Sequence, residues 1–369
     1  MPVSFLIPCA FVAAVVTALL AYPVRLGAHR LGWLDHPGER KTHRAPVAYG
    51  GGVAIAAGLC AGLLAAAFVA PDVLQPSSRI PAFVIGLLVT LIVGSWDDAR
   101  TLSPWTKLGL QMAIGLGMWL AGFRVEKVTN PFGGAIHIDA MGAILTVAWY
   151  VALMNAMNLI DGLDGLASGV AAIAGATVLG ISFSWSEPAT ALISAIFVGA
   201  CAGFLPHNFH PAKMYLGDGG ALSLGFSLAS LALATSTKTS ALLALMIPIV
   251  ALLIPVADAV YAFVRRLRSG RHPFLGDQGH LHHRLMRLGL THRRVVLIVY
   301  YLSAVNGVLA WLLASSTPPE QSSSKAVLLV FAMQAAGFLL LVESLTSLEK
   351  RPREAEATSE KQEPPSLVR

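Results

Sequence analysis

Met154 to Gly169 reads MNAMNLIDGLDGLASG. Two carboxylates three residues apart, Asp161 and Asp164, follow two amides, Asn155 and Asn158, and lie among repeated glycines. Long apolar segments flank the stretch on both sides. Polar groups this dense at the edge of a membrane are costly unless they serve a function. The glycines make DGLDG a tight turn that brings backbone and carboxylates close to a ligand. The ligand ladder of an EF-hand calcium loop is missing. For the two asparagines the plainer alternative is hydrogen bonding between helices, a frequent use of Asn in membranes.

The surrounding chain decides the fold class. Of its 369 residues 55% are hydrophobic and 12% charged, and mean hydropathy is +0.67; a soluble domain carries roughly a quarter charged residues. Apolar stretches of about twenty residues recur along the whole length, which predicts an all-α, polytopic integral membrane protein. The spans fall at about 3–24, 48–70, 80–95, 105–122, 141–157, 165–185, 189–206, 218–236, 240–264, 294–314 and 325–345, about eleven transmembrane helices. The first lacks a basic n-region and a clear cleavage site, so it reads as a retained helix rather than a signal peptide. Phe123 to Ala140 is too polar to span, and its alternation around Pro131 and Gly133-Gly134 predicts a small periplasmic β-hairpin. Cys9, Cys60 and Cys201 lie inside apolar spans without metal-ligand spacing and read as small buried residues.

Basic residues orient the helices. The loops after the odd-numbered spans and the C-terminal tail hold all but five of the 26 Lys and Arg. The positive-inside rule therefore puts the N-terminus outside, the C-terminus inside and these loops in the cytoplasm. The net charge of +6 reads as orientation in the bilayer rather than as a nucleic-acid surface. Residues 1–348 form the membrane domain with its cytoplasmic loops, and 349–369, charged and without an apolar face, read as a disordered cytoplasmic tail.

The same loops hold the chemistry. The first, LDHPGERKTHRAPVAYGGG, places Lys41 and His43 ahead of three glycines at a helix start, where backbone N–H groups and the helix dipole can receive phosphate. The spacing is not that of a P-loop, and a tightly packed small-residue helix is an equally good reading. The second, GSWDDARTLSPWTKLGLQ, sets Asp97 and Asp98 directly at a helix end with Arg100 and Lys107 nearby, a pattern suited to Mg2+ and the phosphates it carries. The fourth, NFHPAKMYLGDGGALS, pairs Asn208 with Asp218 at a helix N-terminus, where a carboxylate is also a good cap. The fifth carries His280, His282, His283 and Arg284. Three histidines suggest zinc, yet the fourth ligand at usual spacing is absent, and a cationic grip on a diphosphate fits the arginine company better.

Together these loops resemble the polyprenyl-phosphate N-acetylhexosamine-1-phosphate transferase superfamily, the glycosyltransferase family 4 type. Its members include the bacterial enzymes that start O-antigen, enterobacterial common antigen and wall teichoic acid synthesis, and the muramyl-pentapeptide translocase. The likeness runs from about Leu34 to Leu290 through RKTHRAPVAYGGG, DDARTLSPWTKLGLQ, NAMNLIDGLDGLASG, NFHPAKMYLGDGG and HLHHRL. HLHHRL resembles the UDP-N-acetylglucosamine branch. Two departures bear on substrate preference: the family's GDSGS or GDTGS is Gly217-Asp218-Gly219-Gly220-Ala221 here, and its PVPR is Pro46-Val47-Ala48-Tyr49.

The resemblance implies transfer of N-acetylhexosamine-1-phosphate, GlcNAc-1-phosphate in first place, from a UDP-sugar to undecaprenyl phosphate, with release of UMP. It implies Mg2+, with Mn2+ as an alternative, held by Asp218 and Asp98, and Asp97 acting on the lipid phosphate as base or electrostatic anchor. Lys41, His43, Lys107 and Asn208 would position phosphates. Asp161 and Asp164, with Asn158 and its neighbour Asn155, would bind the nucleotide side, and His280, His282, His283 and Arg284 the diphospho-sugar. The setting implied is the bacterial cytoplasmic (inner) membrane, with the active site facing the cytoplasm and a homodimer left open. The competing readings are phospho-N-acetylmuramoyl-pentapeptide transferase, a polytopic transporter, which would place ionisable groups near mid-span in weakly symmetric halves, and a membrane scaffold.

Overall fold

The computed structural model describes residues 4–37, 45–74, 79–125, 127–129, 135–137, 139–235 and 281–316, with a few isolated helical residues beyond. The expected spans at about 240–264 and 325–345 and the expected tail at 349–369 lie outside the described residues.

The described chain is mostly helix. In order it runs α1 (Leu6–Leu31), β1 (Leu34–Asp35), β2 (Val47–Ala48), α2 (Gly51–Val69), α3 (Pro71–Leu74), α4 (Arg79–Ala99) and α5 (Pro104–Leu120). Then follow β3 (Lys127–Thr129), β4 (Ala135–His137), α6 (Asp139–Ile160), α7 (Leu166–Ser184), α8 (Pro188–Asn208), α9 (Gly217–Thr235), α10 (Leu281–Arg287) and α11 (His292–Ser316). β3 and β4 pair antiparallel with Val128 opposite Ile136. Local chemistry explains the helix ends. α1 stops where Gly32 turns left-handed at φ 70°, a conformation without penalty only for glycine. α5 starts at Ser103-Pro104, with Ser103 Oγ accepting the Thr106 N–H and proline at the first helical position.

Seven of the described helices are long and apolar enough to cross a membrane: α1, α2, α4, α6, α7, α8 and α11. Their outer faces expose large apolar side chains, among them Ile7 and Phe11 on α1, Phe68 on α2 and Ile85 and Ile92 on α4. Leaving such groups in water would cost about 1.5–3 kcal/mol each; lipid removes that cost. The chain is thus a multi-pass membrane protein. α9 is its axis, buried along almost its whole length and packed by α2, α4, α6, α7 and α8.

That packing depends on two glycine approaches. A Cβ on Gly52 of α2 would lie 2.5 Å from the main chain of Gly220, and one on Gly94 of α4 would lie 2.6 Å from Asp218 O. Small residues let helices approach this closely in membranes. The glycines Gly51 and Gly52 are therefore packing elements: their N–H groups donate to Tyr215 O at 3.0 Å and Leu216 O at 3.3 Å. The close-packed reading of this helix start is realised, and these two N–H groups are engaged by protein carbonyls rather than offered to a phosphate.

Candidate active site

Four helix ends and one tight turn build the site. α4 continues to Ala99, so Asp97 and Asp98 occupy its last turn rather than a loop. One turn into α5 stands Lys107, α9 opens with Gly217-Asp218, and the last turn of α6 supplies Asn158.

Lys107 joins the two carboxylates. Its Nζ lies 2.7 Å from Asp97 Oδ2 and 2.5 Å from Asp218 Oδ2. Asp97 is nearly buried, with a side chain 8% exposed, whereas Asp218 keeps 33% and faces solvent. Asp97 Oδ1 accepts the Leu102 N–H at 2.7 Å, which fixes its second oxygen toward Lys107. Asn158 Nδ2 donates to Asp218 Oδ1 at 2.8 Å. Asp218, the more exposed of the two carboxylates, thus ends a chain of charge-assisted contacts, which are stronger than neutral ones.

Asp98 does something different. Its Oδ1 accepts the Asp218 N–H at 2.7 Å and its Oδ2 the Gly219 N–H at 3.1 Å. The carboxylate therefore caps α9 from the neighbouring helix, satisfying two orphan N–H groups at the positive end of the helix dipole.

The DGLDG turn forms the adjoining wall. Burial, and then the carboxylates of Asp218, Asp98 and Asp164, push the Asp161 carboxyl well above the usual carboxylate range. Asp164 Oδ2 pairs with His210 Nδ1 at 2.7 Å and accepts the Ala212 N–H at 3.0 Å. Buried Asn208 accepts from Gly165 N at 3.1 Å and Ser168 Oγ at 2.8 Å, and donates to Met214 O at 3.1 Å. A phosphate contact by Asn208 would require these bonds to break; in place it ties the turn to the loop before α9. Tyr300 of α11 donates to Gly165 O and closes the turn from the other side.

The structure thus brings together Asp97, Asp98, Lys107, Asn158, Asp161 and Asp218, with Asp164 and Asn208 behind them. Asn155 stands apart from this group. Its amide donates to Gln111 Oε1 at 2.6 Å and to Val151 O at 2.8 Å, an α5–α6 bridge of the kind asparagine makes in membranes. Lys41, His43 and His280 lie outside the described residues, as do the side chains of His282 and His283. Arg284 is described and buried, on α10. Sequence reasoning passed over His210, Tyr300 and Tyr49. His210 stands inside a quoted motif, NFHPAK, with nothing in the local sequence to set it apart. Tyr49 donates to Asp35 Oδ1 at 2.9 Å and its ring lies 6.4 Å from that of Tyr215.

Carboxylates and one lysine thus meet at helix ends among the described residues, and comparison with known proteins assigns the family. The profile of "Glycosyl transferase family 4" matches residues 80–236, which run from the start of α4 to the end of α9. The chain is 34% identical over 303 residues to the "Probable undecaprenyl-phosphate N-acetylglucosaminyl 1-phosphate transferase" of Bacillus subtilis, covering 82% of this chain and 83% of that one. The chain belongs to glycosyl transferase family 4. Similarity to the "Decaprenyl-phosphate N-acetylglucosaminephosphotransferase" of Mycobacterium tuberculosis is 35% over 316 residues, 78% of this chain and 77% of the relative. The "Undecaprenyl-phosphate alpha-N-acetylglucosaminyl 1-phosphate transferase" of Escherichia coli K12 is 27% identical over 303 residues, 80% and 81% of the two chains. These relatives place the chain in the N-acetylglucosamine-1-phosphate transferase branch of the family. The family match contains every residue of the Lys107 cluster.

Proposed function

We propose that this family member transfers N-acetylglucosamine-1-phosphate from UDP-N-acetylglucosamine to undecaprenyl phosphate, giving undecaprenyl-diphospho-N-acetylglucosamine and UMP. An oxygen of the lipid phosphate attacks the sugar-bearing β-phosphorus. The bond from that phosphorus to the bridging oxygen breaks, and UMP leaves with the electron pair. The observation that carries the reading is Lys107 held between Asp97 and Asp218 at the ends of three apolar helices, supported by relatives named for this transfer.

Two anionic phosphates must approach one another, so charge neutralisation dominates the barrier. The donor set fits Mg2+, which prefers carboxylate oxygens and retains waters for substrate phosphates. Asp218 and Asp97, whose facing oxygens already share one cation, are the residues we assign to hold it, with Mn2+ as the alternative ion. Asp98, paired with Asp218 in the sequence reading, has both oxygens on the first N–H groups of α9, and its part is to aim Asp218. When bound, Mg2+ neutralises charge on the diphosphate and on the departing phosphate. Lys107 moves between its carboxylate partners and an incoming phosphate oxygen. Asp97, shielded from water, orients the lipid phosphate, whose tail approaches from the bilayer past exposed Trp96 and Trp105. Such amphipathic rings favour the membrane–water boundary. We assign Asp161 and Asp164 to the nucleotide, and His280, His282, His283 and Arg284 to the diphospho-sugar.

The charge asymmetry of the loops supports a bacterial inner-membrane protein with this site on the cytoplasmic side. The test is UMP release by purified protein with undecaprenyl phosphate, Mg2+ and a panel of UDP-sugars that includes UDP-N-acetylmuramoyl-pentapeptide. UMP from UDP-N-acetylglucosamine is the expected result. Release from the pentapeptide donor alone would move the chain to the muramyl branch, and no release from any donor would remove the enzyme reading.

A further inference from the structure

Beside the transfer site, three side chains from three separate segments converge. Asp164 comes from the turn between α6 and α7, His210 from the loop between α8 and α9, and His292 from the first residue of α11. Each offers one metal-ligating atom, and these atoms lie within 4.8 Å of one another. His210 and His292 have no part in the transfer proposed above. We propose that Asp164, His210 and His292 form a binding site for a borderline transition-metal ion, Zn2+ in first place, separate from the carboxylate site assigned to Mg2+.

The donor set decides the class of ion. Two imidazoles and one carboxylate, with a fourth position for water, are a recurrent Zn2+ set. Imidazole nitrogens select Zn2+, Co2+, Ni2+ or Cu2+, whereas Mg2+ prefers all-oxygen surroundings. The two rings stack with centroids 4.2 Å apart and planes 16° from parallel, and because a bound ion lies in the plane of each ring it contacts, ligation requires the rings to turn out of this stack around the point their nitrogens share with Asp164.

A second observation points to a ligand independently of the cluster. His292 Nε2 is shielded from solvent and has no hydrogen-bond partner among the described residues. A polar ring nitrogen held out of water is costly when unpaired, and a metal ion beside it removes that cost. A plain Asp164–His210 hydrogen bond leaves the shielded Nε2 of His292 without a partner. The surroundings also fix the ligands, as metal sites require: Arg293 Nε donates to His210 O at 3.1 Å, and the Ala212 N–H donates to Asp164 Oδ2 at 3.0 Å. All three residues keep partial exposure, which leaves an entry path. A bound ion would tie the DGLDG turn and the loop before α9 to the start of α11.

The proposal rests on these three side chains alone and is independent of the nucleotide role given to Asp164. Because His280, His282 and His283 offer imidazoles of their own, the test uses full-length protein carrying His280→Ala, His282→Ala and His283→Ala. Co2+ is titrated as the visible probe and Zn2+ as its competitor. With Mg2+ in excess throughout to occupy the carboxylate site, the expected result is one Co2+ per chain with ligand-field bands, displaced by Zn2+. His292→Gln, which keeps a side chain of similar reach, and His210→Ala should each weaken binding by at least about 100-fold, because loss of a group that merely supports a ligand already costs about 10–100-fold. Asp97→Asn should leave the titration unchanged. Absence of Co2+ binding in the starting protein, or unaltered binding in both histidine variants, would overturn the proposal.

Discussion

Asp98 and Asp218 meet carboxylate to main chain: Oδ1 of Asp98 accepts the N–H of Asp218 at 2.7 Å while its Oδ2 takes the N–H of Gly219 at 3.1 Å. One carboxylate at the end of α4 thus fixes where α9 begins and which way the Asp218 side chain points. Loss of a cap costs about 0.5–2 kcal/mol, so Asp98→Ala should lower the thermal midpoint of the detergent-solubilised protein and reduce transfer together. Asp98→Asn, which keeps one acceptor oxygen, should fall between the two. An unchanged midpoint in Asp98→Ala would show that the cap does not hold α9.

Lys107 is the cation on which Asp97 and Asp218 converge. Removing one positioned electrostatic group from such a site costs on the order of 100–1000-fold in rate. Lys107→Ala should lose at least that much kcat/KM in UMP release, and Lys107→Arg should recover part of it by keeping the charge. Asp97→Asn should abolish transfer while the protein stays folded and inserted.

Gly94 tests the closeness of α4 and α9 directly. In Gly94→Ala the new methyl would lie 2.6 Å from Asp218 O, and overpacking of this kind costs about 1–3 kcal/mol. The midpoint should fall and activity with it, because the strain is delivered at Asp218. Gly109→Ala is the control: a Cβ there meets nothing within 4 Å, and its midpoint should hold or rise.

Asp161 gives stability a pH dependence of known sign. Its carboxyl is pushed well above the usual range by burial and by its acidic neighbours. The folded state therefore binds this proton more tightly than the unfolded chain, whose Asp titrates near about pH 3.9. That contribution is fully present below the unfolded value and is lost as pH rises through the raised one. Asp161→Asn removes it. The midpoint of the variant minus that of the native protein should climb from about pH 4 upward and then level off. A flat or falling difference would contradict the placement of Asp161.

Much of this was legible in the residues, for physical reasons. Membrane helices announce themselves by length and hydropathy, so nine of the described helices lie within a few residues of expected spans, and seven of these are long and apolar enough to cross a membrane. The main departures are α1, which runs on to Leu31, and α4, which runs on to Ala99. Carboxylates at helix ends pointed to one polar cluster because lipid penalises them elsewhere. What spacing could not show was the division of labour within it. Whether Asp98 caps a helix or faces a ligand depends on how closely α4 approaches α9, which only the opposed glycines permit. By sequence the first-loop glycines suit a phosphate cradle and a packing surface alike; the carbonyls of Tyr215 and Leu216, distant in sequence, take two of their N–H groups. Asn208 looked like a phosphate contact and is instead buried between two turns. The partnership of His210 with His292, 82 positions further along the sequence, has no local signature at all.

The most direct test of the central claim is UMP release from UDP-N-acetylglucosamine by the purified protein with undecaprenyl phosphate and Mg2+, measured in parallel for the native protein and Asp218→Asn. The native protein should release UMP only when lipid phosphate and metal are both present, and Asp218→Asn, equally folded, should release none. Full release by Asp218→Asn would contradict the account.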